Sequence, residues 1–400
     1  MTTTAPPTRA HVGALAAALA VVAYGTNVST PLLVLYRDRL DLGDSATMAI
    51  FTVYVAGIMG SLLLAGPISD RLGRRRIVLP FMFISALASI VMIFGRDAFV
   101  LLLVGRFVLG AVSGAVFGVG AAWMQELYGP GSEQRAALLT TLVTFGGFGA
   151  GPPVSALFEQ LGRDPLVEPF LLHVAVTAVS MLALARVPDT HVRPTVPRPI
   201  RPNLGVPVAA RRTFWTIVVP AAIWVFSFPS TAFALFPVLV SEQIPDIEVV
   251  VAAVSGVVTA WAALLARPIL PRIGARAALP LGCVLGTTGY IFGSIAFGSD
   301  AWPLVLPAAL ILGTASGLLT AGSLGILAEM ADDETRGTLN STFYLLAYPG
   351  MSMPIIVTAL AGPLGVAQAL LVITAVAVVG LAVTTAGWIR YRRQPASSAM

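Results

Sequence analysis

The sequence predicts an all-α polytopic membrane protein: twelve transmembrane helices in two pseudo-symmetric six-helix bundles. Three observations carry that expectation. The 400 residues are 57% hydrophobic and only 11% charged, where soluble domains carry roughly 25% charged residues. Apolar runs of membrane-spanning length alternate with short polar loops in which arginines collect. The second half of the chain repeats the charge pattern of the first at a nearly constant offset.

Residues 1–10 are a polar tail. Twelve apolar runs follow, at 11–36, 46–67, 77–95, 98–126, 136–158, 168–187, 213–240, 248–267, 277–297, 302–328, 336–360 and 364–390. Most reach the ~20 residues needed to cross about 30 Å of hydrocarbon. They are read as helices because backbone groups in lipid must be satisfied within their own segment. The first run lacks a small-residue cleavage site after a short apolar core, so it reads as a retained span and not a removed signal. The longest polar interval, 188–212, holds Pro188, Pro194, Pro197, Pro199, Pro202 and Pro207 with arginines between them. It is expected to be an extended linker at the membrane surface, dividing an N-terminal bundle at 1–187 from a C-terminal bundle at 213–400.

Orientation follows from arginine, which supplies all 24 basic residues. With the N-terminus inside, nineteen arginines fall in inner segments and four, Arg37, Arg39, Arg96 and Arg163, in outer loops. The positive-inside rule then expects both termini in the cytoplasm, in a multi-pass protein of the cell's inner (plasma) membrane. The same loops account for the net charge of +5, so no nucleic-acid partner is expected. Cys283 is the single cysteine and excludes a disulfide within the chain. No His or Cys cluster suggests a metal. No Gly-x-x-x-x-Gly-Lys-Ser/Thr loop suggests direct use of ATP. No cofactor and no enzymatic activity are expected.

A shift of 201 residues lays Pro67 on Pro268, Arg71 on Arg272, Gly73 on Gly274 and Arg75 on Arg276. A shift of 203 lays Gly110, Ser113 and Gly114 on Gly313, Ser316 and Gly317, and Glu126 on Glu329. Matches of glycine in apolar sequence are cheap, whereas charges in phase at both inner loops are not. Two parallel six-helix halves with a site between them is a transporter arrangement.

The stretch from Gly60 to Arg76 begins as an apolar helix expected to stop at Gly66-Pro67, before a cluster that cannot lie in hydrocarbon. Gly66, Asp70, Arg71, Gly73, Arg74 and Arg75 read glycine, three residues, Asp-Arg, one residue, Gly-Arg-Arg. Here the chain resembles the major facilitator superfamily of transporters, whose signature loop between helices 2 and 3 has that pattern. It is most similar to the twelve-helix drug:proton antiporter branch. The resemblance covers nearly the whole chain apart from the tails and the linker. It implies that Asp70, Arg71 and Arg74, with Glu126 at the inner end of helix 4, latch the two halves on the cytoplasmic side in the outward-facing state. In the second half Pro271 replaces the aspartate, although Glu329 and Arg336 remain.

Arg106 is the one basic residue well inside an apolar run, and an intramembrane charge is a functional candidate by default. Snorkelling to the outer interface is the bland alternative. The family has a helix-4 arginine four residues before a glycine, implicated in proton coupling, and Arg106 and Gly110 match that spacing. Gly147, Gly151 and Pro152 resemble the helix-5 motif of exporting members, although Ser155 and Ala156 stand where a further glycine is expected. Close helix packing explains the stretch equally well. His173 can titrate near neutral pH, but a partly hydrated histidine at the interface is the more ordinary reading.

Tyr24, Asn27, Ser29, Thr30 and Tyr54 in the first half suit a central cavity, as do Trp224, Ser227, Ser230, Tyr344 and Tyr348 in the second. Singly, each is more often a helix–helix hydrogen bond than a ligand contact. Together they describe an apolar cavity with aromatics and hydroxyls, suited to an amphipathic or lipophilic substrate. The resulting expectation is a monomeric secondary transporter working by alternating access. It would export small, largely apolar organic molecules, with lipid, substrate and protons as its partners. The alternatives are a facilitator or symporter importing a sugar-like or other organic solute, and a non-transporting sensor or scaffold on the same fold. No acid lies near the middle of any run, so Arg106, Glu126 and His173 are the coupling candidates. Arginine releases no proton at relevant pH, so the titrating group would be an acid near a helix end, His173 or the substrate. Glu126 is favoured because a carboxylate beside Arg74 would lose its partner when the latch opens, which would raise its pKa.

Overall fold

The structure, a computed structural model, describes residues 8–129, 131–190, 206, 211–330 and 336–392. Among them every regular element is helical. Eleven helices are long and apolar enough to cross a membrane, and a twelfth apolar helix, Glu168–Leu184, has 17 residues. That is the short end of the range that spans a bilayer, about 17–25 residues. The protein is therefore a multi-pass, all-α membrane protein. Most of the 188–212 interval, with Arg193, Arg198 and Arg201, lies outside the described residues, as does Arg393.

The chain divides into two compact units, Met1–Pro202 and Asn203–Met400. The first holds α1 (Arg9–Asn27), α2 (Asp44–Leu72), α3 (Arg75–Gly95), α4 (Phe99–Tyr128), α5 (Glu133–Leu161) and α6 (Glu168–Leu184). The second holds α7 (Arg211–Gln243), α8 (Glu248–Ile273), α9 (Ala275–Gly298), α10 (Val305–Met330), α11 (Leu339–Leu364) and α12 (Val366–Arg392). In the first unit α2 packs on α4, α4 on α3, α3 on α6, and α1 on α5. In the second, α8 packs on α10, α10 on α9, and α9 on α12.

Two boundaries differ from the sequence reading. The first run is not one helix: α1 stops at Asn27, turns follow, and a short helix Leu33–Leu40 continues. The second run does not stop at Gly66-Pro67. Proline removes one backbone donor but leaves the following turns free to continue, and α2 runs on to Leu72. It ends at Gly73, whose φ of +99° an L-residue with a Cβ rarely adopts. Gly274, 201 residues on, ends the matching turn of α8 with φ +78°.

Small residues set the helix spacing. A Cβ on Gly110 would overlap the Tyr54 carbonyl oxygen, and one on Gly114 would sit 2.7 Å from the Ile58 carbonyl. The second half repeats this: Gly313 meets the Thr259 carbonyl and Gly317 the Ala263 carbonyl. In a bilayer, where lipid tails are as apolar as leucine, such close approach supplies the packing that holds helices together. The outward faces are apolar. On α6, Leu171, Val179 and Leu182 are exposed, while His173, Thr177 and Ser180 point inward.

α7 carries π-helical turns at Phe214–Val218 and Thr231–Leu235. Each lies just before a proline, Pro220 or Pro237, and contains the residue four positions ahead of it. That carbonyl is the one a proline ring would strike in a regular helix, and the wider turn relieves the clash.

Candidate functional site

The helix-2/helix-3 junction gathers a charge cluster around Arg74. Because α2 continues to Leu72, Asp70 sits in its last turn, one helical turn before Arg74. Arg74 Nη1 donates to Asp70 Oδ1 and to Ser69 Oγ, both at 2.6 Å. Its Nε donates to Glu126 Oε1 at 3.0 Å, and its Nη2 lies 3.0 Å from the same oxygen. The Arg74 side chain is only 11% exposed, against 28% for Glu126 and 47% for Asp70. Arg71 is exposed. Gly66 has open space where a Cβ would stand.

Three residues that sequence reasoning missed complete the cluster: Ser69, Asp189 and Thr190. The Thr190 hydroxyl donates to Glu126 Oε2 at 2.8 Å. The Arg74 backbone N–H donates to Asp189 Oδ1 at 3.1 Å. The Asp189 carboxylate also fills the space a Cβ on Gly73 would need. Trp123 on α4 anchors this segment, its indole N–H donating to the Pro188 carbonyl at 3.2 Å. The chain leaving α6 is thus tied across the ends of α2, α3 and α4. The available signal was a carboxylate and a hydroxyl directly after Pro188, a position that reads as linker. In the second half, among the described residues, Arg276 Nη2 donates to Glu329 Oε2 at 2.5 Å, with both side chains close to half exposed. The Arg336 side chain lies outside the described ones.

Arg106 does not snorkel. It is 2% exposed and bonds inward to α1 and α2. Its Nη1 donates to the Thr26 carbonyl at 2.8 Å and to Ser29 Oγ at 3.2 Å. Its Nε donates to the Ile50 carbonyl at 3.2 Å and its Nη2 to the Phe51 carbonyl at 3.5 Å. The guanidinium lies over the Tyr54 ring, 4.8 Å from its centroid. The end of α1 at Asn27 makes this possible, because the last carbonyls of a helix lack intrahelical partners. Thr26 also bonds Ser113 of α4 through its hydroxyl at 2.9 Å. A buried cation satisfied by carbonyls thereby ties α1, α2 and α4 together.

His173 is not an interfacial residue. It is fully buried, with Nδ1 2.7 Å from Ser89 Oγ and Nε2 3.2 Å from Thr177 Oγ1. Gly25 leaves room for its ring. The helix-5 motif packs on α1: Gly147 abuts the Ala20 carbonyl, and a Cβ on Gly151 would stand 3.0 Å from the Tyr24 carbonyl. Pro152 lies inside α5 without ending it. Ser155, standing where the motif expects glycine, donates to the Val28 carbonyl at 2.6 Å.

Several proposed cavity residues are committed to packing within their own half. Tyr24 donates to the Pro169 carbonyl at 3.1 Å. Tyr54 is covered by Arg106. Trp224 is buried, stacked on Phe228, with its indole nitrogen against Gly380 of α12. Ser227 donates to the Ile223 carbonyl at 2.7 Å beneath the close approach of Gly350. Asn27, Tyr344 and Tyr348 stay half-buried. Asn27 donates to the Phe148 carbonyl at 3.2 Å. Tyr344 and Tyr348 join Phe226, unremarked in the sequence, whose ring stacks on Tyr348 at 4.8 Å.

At the opposite end of the first half a second ion chain ties three loops. Arg39 Nη2 donates to Asp97 Oδ1 at 2.7 Å. Arg96 pairs with Asp97 at 3.4 Å and also bonds Asp164. The Arg39 hydrogen bond, helped by both positive charges, holds the Asp97 carboxyl below the usual carboxylate range.

With the twelve-helix architecture and this cluster in place, comparison with known proteins assigns the class. The family model described as Major Facilitator Superfamily matches residues 15–353, and the chain belongs to that superfamily. Within it, the chain is similar to the multidrug resistance protein MdtL of Klebsiella pneumoniae, 30% identical over 126 residues, covering 30% of this chain and 31% of that protein. It is also similar to the bacillibactin exporter of Bacillus subtilis, 26% identical over 135 residues, covering 33% and 34%. These matches span about a third of either relative. A POT family transporter solved in complex with 5-aminolevulinic acid shares the fold, with TM-score 0.79, 13% identity and coverage of 94% of this chain and 95% of that one.

Proposed function

We propose that the protein is a secondary transporter that exports small, largely apolar organic molecules by alternating access in exchange for protons. It works as a monomer in the inner membrane, with both termini and the Arg74 cluster on the cytoplasmic side. The observation that carries this reading is the Arg74 cluster. It is a compact set of charged hydrogen bonds at one end of a six-helix half, only partly buried, and so able to be made and broken. A purely structural loop would need only the arginines. The partial likeness to a multidrug resistance protein and to the bacillibactin exporter favours export.

Glu126 is the proposed proton carrier. Its partners, Arg74 and Thr190, lie at the helix ends where a conformational change would separate them. His173 is instead locked inside the first half between Ser89 and Thr177, and Arg106 is saturated by carbonyls. Flux in proteoliposomes under an imposed pH gradient tests the assignment. Glu126→Gln should abolish pH-driven flux while substrate exchange persists. Full pH-driven flux in both Glu126→Gln and His173→Ala would exclude it. Orientation is tested by labelling: a cysteine introduced at 188–212 should react only from the cytoplasmic side, and one at 160–166 only from outside.

A further inference from the structure

Arg75 and Arg76 stand apart from the Arg74 cluster. Arg74 takes both Asp70 and Glu126, whereas its two neighbours have no hydrogen bond or ion pair with a described residue. They line a cleft of about 620 Å³ on the surface of the first half. Leu72, Gly73, Leu79, Pro80 and Asp189 complete its lining. Leu72 and Pro80 are exposed, so part of the lining is apolar surface open to the surroundings. The volume falls within the range of small-molecule sites, ~300–1,000 Å³.

Topology alone asks for positive charge at this end of the helices. It does not ask for two guanidinium groups, without a partner among the described residues, beside a cleft with apolar lining. That combination matches one chemistry: a phosphodiester beside a hydrocarbon chain. Guanidinium groups bind phosphate oxygens through paired N–H donors, and the positive N-terminal end of α3, which Arg75 opens, adds to the field. Asp189, which also lines the cleft, is a carboxylate to which hydroxyl groups attached beyond the phosphate can donate. We infer that this cleft binds the headgroup of an anionic phospholipid with a hydroxylated headgroup, such as a phosphatidylglycerol, with its chain laid along Leu72, Leu79 and Pro80. The lipid comes from the leaflet at the Arg74 end, the cytoplasmic leaflet in the orientation proposed above. A bound headgroup would touch Asp189, and so would bear on the segment that closes the charge cluster.

The test uses the purified full-length protein in detergent and counts retained lipids by native mass spectrometry. The probes are dioleoyl-phosphatidylglycerol, dioleoyl-phosphatidylcholine and inorganic phosphate. The wild type should retain one phosphatidylglycerol at roughly tenfold higher affinity than phosphatidylcholine, the scale two arginines near an anionic surface supply. Arg75→Gln/Arg76→Gln should lose that preference. Pro80→Trp keeps both charges, and with them the topology signal, while narrowing the apolar side, and should weaken phosphatidylglycerol binding. Full preference retained in either variant overturns the site. If millimolar phosphate displaces the lipid stoichiometrically, the cleft is a free-phosphate site and the lipid assignment fails.

Discussion

The Arg74 cluster makes a quantitative prediction about which of its legs matters. A charged hydrogen bond contributes about 1.5–3 kcal/mol when well buried, and an exposed ion pair about 0–1 kcal/mol. Arg74 is 11% exposed, so each leg is set by its acceptor. Glu126 is 28% exposed and receives two guanidinium nitrogens near 3.0 Å. Discounted for screening, that coupling should be about 1–1.5 kcal/mol. Asp70 is 47% exposed, and its shorter contact should still yield only about 0.5 kcal/mol. Two double-mutant cycles measure these legs, Arg74→Gln with Glu126→Gln and Arg74→Gln with Asp70→Asn. Unfolding free energies come from SDS titration in mixed micelles. The reasoning is refuted if the Asp70 coupling equals or exceeds the Glu126 coupling, or if both fall under ~0.3 kcal/mol, the ordinary scatter of independent sites.

The remaining predictions concern backbone and loops. Gly73→Ala should cost about 1–3 kcal/mol, the scale of a strained non-glycine conformation, whereas Gly66→Ala, with open space around it, should stay within about 0.5 kcal/mol; the same titration reads both. Gly110→Ala and Gly313→Ala each push a methyl into a facing carbonyl and should cost about 1–3 kcal/mol, with Gly118→Ala, which meets nothing, as the control. The depressed Asp97 carboxyl stabilises the folded state above its unfolded pKa of ~3.9, and that contribution is lost as pH falls through the lower folded value. Asp97→Asn should therefore lower stability at neutral pH and flatten the acid limb of a stability–pH profile. An unchanged profile would remove the ion chain from the account.

The fold was legible because membrane solvation leaves few choices. Length, hydropathy and arginine placement defined twelve spans, and the repeat offsets located the glycines that the structure finds against facing carbonyls in both halves. Helix ends were less legible. Pro67 reads as a stop, but a proline costs a helix one donor without forbidding the next turn, and the termination at Gly73 depends on its positive φ. Site residues divided the same way. Arg106 stood out because a charge in an apolar run is costly, yet its partners are backbone carbonyls, which no sequence pattern names. Asp189 and Thr190 were invisible because they touch Gly73, Arg74 and Glu126 across more than sixty residues of chain. The polarity of Trp224 and Ser227 gave no indication that α11 and α12 would close over them.

The two halves share the packing code but not the charges. Gly110 and Gly114 find their counterparts in Gly313 and Gly317, down to the carbonyls they abut, because helix spacing must be held on both sides of any six-helix bundle. The first half's cluster draws on four segments: the ends of α2, α3 and α4, and the chain leaving α6. In the second half Pro271 occupies the aspartate position, and the half-exposed Arg276–Glu329 pair joins α9 to α10. A duplicated framework maintained purely for topology would have no reason to keep a largely buried three-acceptor arginine in one half and a half-exposed pair at the matching place in the other. At the matching ends of the two halves, the asymmetry puts the larger charge cluster at the first half's Arg74 end, where the chain leaving α6 is bound. A change of state that opens this cluster would therefore act directly on the segment leading to the second half.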